Sequence, residues 1–274
     1  MTIAQALATA LALGLQRLDA QLLLLHALDQ PAGNRAWLLA HDMDELAPGV
    51  LQRFEAFSQR RAAGEPLAYI TGHREFFGLD LQVDARVLDP RPDTETLVEW
   101  AQEVLAGMSE PAVLDLGTGS GAIALALQHE RPDAHVTAVD ASAAALEVAR
   151  ANAARLQLGV HFLHGSWLTP VSGRFHAIVA NPPYVAEHDP HLAALSHEPL
   201  RALASGPDGL DDIRQIVSQA KARLHPGGWL LLEHGYDQAA AVRALLTAAG
   251  YQQAQSRRDL SGIERCSGAQ APGA

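Results

Sequence analysis

The sequence predicts an α/β fold in which a doubly wound, mostly parallel sheet follows a small bundle of helices. Three observations carry this reading. Residues up to about 72 space their apolar side chains as helices do. From Asp93 onward, strand and helix signals alternate, as a parallel sheet with crossover helices requires. Within that region one apolar strand runs through a glycine-rich loop directly into a helix. At 274 residues the chain holds one core of ordinary size plus a small accessory domain.

The elements follow in order. Ile3, Leu7 and Leu11, then Leu18, Leu22, Leu25 and Leu28, mark the apolar faces of the first short helices. Asn34 is placed to cap a helix through Trp37-Leu38-Leu39, and Pro48 suits the first turn of a helix that includes Leu51, Phe54 and Phe57. These helices make a first domain over residues 1–72. Alternating residues from Phe76 to Val83 around Gly78 predict a hairpin, within a connecting segment of residues 73–92. The sheet domain then spans residues 93–267. Its first strand is Ala112 to Leu116, followed by the loop Gly117-Thr118-Gly119-Ser120-Gly121 and a helix from Ala122 to His129. A second strand runs from His135 to Asp140, a third lies at His161 to His164, and Ala177-Ile178-Val179-Ala180 leads into Asn181. Trp229 to Glu233, after Pro226-Gly227-Gly228, is another. Gly268 to Ala274 read as a disordered tail. No internal repeat is evident.

Composition narrows the function classes. A net charge of −11 argues against tight nonspecific binding to a nucleic-acid backbone and allows a basic protein partner. Both parts are acidic, with five basic and seven acidic residues up to Gly72, so neither carries a basic stripe. Cys266 is the one cysteine, which excludes an intramolecular disulfide and agrees with a reducing compartment. Even Leu22 to Leu25 is bounded by Gln21 and His26, and the start lacks a basic leader, so the expectation is a soluble, cytoplasmic protein away from membranes. His188, Asp189, His191 and His197 share a proline-containing loop, but no second ligand cluster or cysteine accompanies them, so no metal is expected. Lys221 is the single lysine, and nothing in the sequence gives it a function.

Two motifs carry chemistry. Asn181-Pro182-Pro183-Tyr184 ends a strand in a stiff turn, because the residue before a proline is confined to extended conformations. The Asn181 side-chain oxygen and the Pro182 carbonyl are two acceptors side by side. They suit a planar nitrogen bearing two hydrogens, an amide or an exocyclic amine, with Tyr184 able to cover its face. A purely structural turn is the alternative. In the other motif, glycines at 117, 119 and 121 let the backbone approach a ligand and present N–H groups at a helix start. Asp140, about twenty residues beyond the loop, is placed to hold both ribose hydroxyls of a cofactor. Its alternative role is a helix N-cap, for which Ser142 is also available.

With both motifs in view, the chain resembles the class I S-adenosylmethionine-dependent methyltransferases of the HemK/PrmC type, the protein-(glutamine-N5) methyltransferases of peptide chain release factors. Beyond the two motifs the resemblance rests on Pro66-Leu67-Ala68-Tyr69-Ile70-Thr71-Gly72, on Pro90-Arg91-Pro92-Asp93-Thr94-Glu95, and on Glu198-Pro199 with Gly206-Pro207-Asp208-Gly209-Leu210. The Arg-Pro-Asp-Thr-Glu element bears most on the subfamily, because the related enzymes that methylate a ribosomal protein usually carry a different sequence there; a ribosomal-protein glutamine methyltransferase is an alternative reading. Asp89, where the family more often has an apolar residue, and Ser166, where an acid is frequent, depart from the pattern. The resemblance implies a seven-stranded sheet closed by an antiparallel hairpin near Gln252 to Arg258 and Ile263 to Ser267. It implies S-adenosyl-L-methionine as cofactor, held by Gly117, Thr118, Gly119, Ser120, Gly121, Asp140, Trp167 and Asn181, with Trp167 against the adenine ring. Asn181 and Pro182 are the expected catalytic residues, and Pro183 and Tyr184 complete the substrate site. Arg91, Asp93 and Glu95 are expected at the substrate entrance, and the loop with His188 is expected to close over the peptide. The expected partner is a release factor, gripped by the N-terminal helices, and the expected state is a monomer. The same acceptor turn also suits an adenine-N6 nucleic-acid methyltransferase.

Overall fold

The computed structural model describes residues 1–273, which divide into two compact units at His73/Arg74. In the first, α1 (Ile3–Ala12), α2 (Arg17–Ala27), α3 (Arg35–Ala40), α4 (Pro48–Ala62) and α5 (Leu67–Thr71) enclose a core that includes Leu23, Leu24, Leu25, Leu38 and Phe54. Thr2 and Gln5 form a reciprocal capping box that starts α1. The buried stripe differs from the one expected. Ile3, Ala6 and Ala10 face inward, whereas Leu11 and Leu18 are 43% and 47% exposed. Leucine and alanine surround α1 on nearly every side, so spacing alone does not choose a face; the small alanines are the ones that admit a close neighbour. Asn34 precedes α3 but its side-chain oxygen makes no capping bond, and its amide nitrogen donates to Gln30. Pro48 does open α4.

The second unit opens, from Arg74 on, within the hairpin of β1 (His73–Phe76) and β2 (Leu79–Gln82). Phe77 and Gly78 at its tip both have positive φ, the geometry of a two-residue turn that matches strand twist. Then come α6 (Glu95–Val104), β3 (Ala112–Leu116), α7 (Ala122–Glu130), β4 (His135–Asp140), α8 (Ala143–Leu156), β5 (His161–His164), β6 (Phe175–Ala180), α9 (Asp211–Ala220), β7 (Leu224–Glu233), α10 (Ala239–Ala248), β8 (Gln252–Arg258) and β9 (Glu264–Gln270). The seven-stranded sheet has the order β5-β4-β3-β6-β7-β9-β8; the first five strands in that order are parallel and β9 is antiparallel to its neighbours. Leu114, Leu116, Ile178, Ala180, Leu230 and Leu232 share a buried cluster with Ile213 and Ile216 of α9 and Val242 and Leu246 of α10. Asp115, between Leu114 and Leu116, points the other way, on the side where α7 packs against β3, so helices cover both faces.

Residues 268–270, expected in a disordered tail, belong to β9. Gly268 pairs with Leu231 and Gln255, and the Ala271 N–H donates to Gly228 O at 2.7 Å. Small residues read as disorder by composition, yet here they are required by space. A Cβ at Gly268 would stand 2.9 Å from the Trp100 ring and 2.6 Å from Leu231.

Candidate active site

The chain leaves β3 and β6 at the same edge of the sheet. Leu116 pairs with Ala180, so Gly117 and Asn181 are the next residues of two neighbouring parallel strands. The crossover from β3 goes to β4 on one side, while β6 continues to β7 on the other, which makes this the switch point where open α/β sheets bind ligands. A cleft of about 250 Å³ lies there, walled by Gly117, Gly119, Asp140, Ser166, Trp167, Asn181 and Pro183 among others.

The loop is shaped by its own hydrogen bonds. Gly117, Gly119 and Gly121 have φ of +74°, +56° and +88°, a region that disfavours any side chain. The Gly119 N–H donates to Asp140 Oδ2 at 2.8 Å, and the Ser142 N–H donates to Asp140 Oδ1 at 2.7 Å. Asp140 therefore ties the glycine loop to the start of α8, and Ser142 is the residue that caps that helix through Ala145 N. A carboxylate offers about four acceptor sites, so two remain for a pair of hydroxyls. Trp167, itself at φ +45°, stands so close to Gly117 that a Cβ there would meet its ring at 3.3 Å. Its indole N–H donates to Asp212 Oδ1 at 3.1 Å. Thr118, Ser120 and Gly121 lie off the cleft wall. The Thr118 hydroxyl donates to Asp115 Oδ2 at 2.6 Å, the Ser120 carbonyl accepts from Asn152, and Gly121 sits where a Cβ would press on Leu125 and Ala149.

On the acceptor side, Asn181 Nδ2 donates to Thr94 Oγ1 at 3.1 Å. That bond leaves Asn181 Oδ1 as the amide's other edge, and among the described residues no donor is bonded to it. Pro182 is buried and Pro183 lines the cleft. Tyr184 is held at three points: its N–H donates to Leu203 O, its carbonyl accepts from Gln238, and its hydroxyl donates to Glu233 Oε1 at 3.3 Å. Burial, with the Glu233 charge beside it, raises the Tyr184 pKa far above the ordinary phenol range.

Arg91, Asp93 and Glu95 each have partners within the chain. Arg91 pairs with Glu198 at 2.5 Å and stands 3.7 Å from Asp89, whose carboxyl is pushed up by burial. Asp93 lies in a 3-10 turn, 3.6 Å from Arg265, and Glu95 accepts the Phe77 N–H. In the loop with His188, Asp189 caps a 3-10 turn through the His191 N–H. Four contributors were not singled out from sequence: Arg201 and Asp212 on the cleft wall, and the buried acids Asp115 and Glu233. A signal for the last two was present, since each interrupts or ends an apolar run where a carboxylate is rarely found.

A site with this layout on a doubly wound sheet defines a class I methyltransferase domain. Residues 93–247 match the methyltransferase small domain family, and residues 2–72 match the PrmC N-terminal domain. The chain is 51% identical over 269 residues to a release factor glutamine methyltransferase of Burkholderia pseudomallei, covering 94% of this chain and 93% of that one. It is 49% identical to the protein of that name from Pseudomonas aeruginosa, over 91% and 90% of the two chains. The chain belongs to the release factor glutamine methyltransferase family. Among solved structures, a methyltransferase from Pyrococcus furiosus shares the fold at a TM-score of 0.54 and 18% identity, covering 80% of this chain and 98% of that one. The T. thermophilus 16S rRNA N2 G1207 methyltransferase, solved with AdoMet and guanosine, does so at 0.52 and 23%, covering 74% and 50%.

The cofactor is S-adenosylmethionine, and the cleft fits it. Gly117 and Gly119 leave room for close backbone approach, Trp167 offers an aromatic face, and Asp140 has acceptor capacity for the ribose. Among the described residues no cluster of metal-ligating side chains occurs, and no helix is long and apolar enough to cross a membrane.

Proposed function

We propose that this chain methylates the side-chain amide nitrogen of the glutamine in the Gly-Gly-Gln motif of release factors, with Asn181 and Pro182 as its catalytic groups. The observation that carries this reading is the polarity of Asn181: its N–H2 edge is spent on Thr94, so its oxygen edge is the one available beside the cofactor cleft. Bound S-adenosylmethionine supplies a methyl carbon made electrophilic by the adjoining sulfonium.

The chain's residues address the harder partner. An amide nitrogen is a poor nucleophile because its lone pair is delocalised into the carbonyl. Asn181 Oδ1 and the Pro182 carbonyl accept its two hydrogens, which aims the lone pair and stabilises positive charge as the N–C bond forms and the C–S bond breaks. Each such contact contributes roughly 2 to 4 kcal/mol. No strong base is required, since the methylated amide loses its proton readily to water. The N-terminal helices are assigned to gripping the release factor away from the reacting loop, and Gly117, Gly119, Asp140 and Trp167 to holding the cofactor. The compartment that supplies this substrate is the cytoplasm.

Labelled S-adenosylmethionine, offered with a release factor or with nucleic acid, tests the reading: label is expected on the release-factor glutamine. Label on nucleic acid alone would overturn it in favour of amine methylation. Asn181→Ala is expected to lower turnover by about two orders of magnitude or more while cofactor affinity stays within a few fold. Near-normal turnover would remove Asn181 from the catalytic role.

A further inference from the structure

The segment that follows the acceptor turn comes back to the wall of the cleft, and the reaction as described gives it no task. Residues 198–205 are pinned along their length by hydrogen bonds to three other parts of the domain. Glu198 accepts from Arg91, just ahead of α6, at 2.5 Å. At the other end the Leu203 carbonyl accepts the N–H groups of Tyr184 and Val185 at 3.1 and 2.8 Å, and the Ser205 N–H donates back to the Val185 carbonyl at 2.9 Å. Between these points the Arg201 guanidinium donates to the Ser142 hydroxyl at the start of α8. Pro199, Arg201 and Ala202 line the same cleft as Asp140 and Ser142. One arm of chain therefore holds the acceptor turn and the cofactor half of the site together.

Ser142 is where the two halves meet. A hydroxyl has two lone pairs and one hydrogen. Its lone pairs are taken by the Ala145 N–H, at 3.1 Å, and by Arg201, so the hydrogen is what remains to be given. Two residues earlier, each Asp140 oxygen has accepted one backbone N–H and has a lone pair to spare. A spare donor beside spare acceptors suits a pair of ribose hydroxyls, each of which both gives and takes a hydrogen bond. Without Arg201, a lone pair of Ser142 opens, its hydrogen is free to turn, and the arm is released from α8.

We propose that the bond between Arg201 and Ser142 ties the acceptor turn to the ribose end of the cofactor, so that S-adenosylmethionine and the protein substrate tighten each other's binding. A ligand shifts an equilibrium only through contacts that differ between two states. Here those contacts are Pro199, Arg201 and Ala202, which wall the cleft while the arm is docked. The docked arm in turn grips Tyr184 and Val185, directly after Asn181-Pro182-Pro183. Linkage makes the effect equal in both directions. For the identity of its protein substrate the inference rests on the glutamine-methylation reading above.

The test uses the full chain, a purified release factor, and S-adenosylhomocysteine, which fills the cleft without turning over. Saturating S-adenosylhomocysteine is expected to lower the calorimetric Kd for the release factor at least about fivefold in the parent, and to change it by less than about twofold in Arg201→Met, which keeps the apolar stem and removes the donors. Ser142→Ala is expected to lose the same coupling, and the double variant to lose no more than either alone. A second readout needs no protein substrate: on adding S-adenosylhomocysteine, the backbone amides of Tyr184, Val185 and Ser205 should exchange with solvent at least about fivefold more slowly in the parent and at an unchanged rate in Arg201→Met. Equal coupling and equal protection in the parent and Arg201→Met would overturn the inference, as would a parent that shows neither effect. A parent that labels no release-factor glutamine would overturn the proposed function, and the exchange measurement would then decide the tie by itself.

Discussion

Asp140 holds two backbone N–H groups at 2.7 and 2.8 Å, one from the glycine loop and one from the start of α8. It ties the loop to α8, and under the proposed function it is also the ribose acceptor. Asparagine at this position has one acceptor oxygen where the carboxylate has two, and its N–H2 would face a backbone donor. Hydrogen bonds to a charged group are worth about 1.5 to 3 kcal/mol, so Asp140→Asn is expected to raise the cofactor dissociation constant roughly tenfold to a hundredfold. Calorimetric titration with S-adenosylmethionine checks it, and binding within twofold of the parent would reduce Asp140 to a bystander. Asp140 was legible from sequence because a strand-ending acid at the right distance from a glycine loop is a local pattern. The bond from Asn181 to Thr94 was not legible, since nothing local to residue 94 shows that it touches a side chain 87 positions away.

The loop of Gly206 to Leu210 shows how an element can set a site without entering it. Gly209, at φ +75°, packs so tightly on the acceptor turn that a Cβ would lie 2.1 Å from the Tyr184 carbonyl oxygen. Backbone cannot yield as a side-chain tip does, so Gly209→Ala must push the Asn-Pro-Pro-Tyr turn aside. Turnover is expected to fall at least tenfold, by the sensitivity of oriented reactions to displacements of about 1 Å. Melting should fall by only about 2 to 8 °C, from roughly 1 to 2 kcal/mol of left-handed strain in a domain of this size. Equal proportional losses in both would assign the loop to stability alone. At this scale the sequence was readable where the period was unambiguous: β3, β4, β5 and α7 lie within a residue or two of expectation. It was misread where composition was one-sided. The Ala/Leu-rich α1 concealed which face is buried, and the Gly/Ala-rich end of β9 passed for a tail because smallness, its reason for being there, carries no hydropathy signal.

Across the sheet domain, the edge that meets the cleft also concentrates buried acids, Asp115 in β3 and Glu233 in β7, each at 1% exposure or less and each pushed up to about 7, chiefly by burial. Thr118 donates to one oxygen of Asp115, but the other has no partner. An acid whose pKa is higher in the folded chain than in the unfolded one, where it is about 4, holds its proton in the fold at pH values where the unfolded chain has released it. The stability this lends is complete below about 4 and is lost as pH rises through about 7. Half-buried His26 and His176 and buried His234 have depressed pKa values, so the stability they lend runs the opposite way, present above about 6.5 and lost on acidification. A difference between two proteins that share those histidines cancels them. Asp115→Asn keeps the shape and an acceptor for Thr118 but has no proton to lose. Its melting temperature is therefore expected to gain on the parent's from pH 5 to pH 8, by about 3 °C or more, and to gain little above pH 8. Thermal melts of the two proteins across that range measure it. A gap that stays constant, or narrows as pH rises, would mean that Asp115 is ionised in the fold throughout and that the domain bears the cost of its charge at every pH.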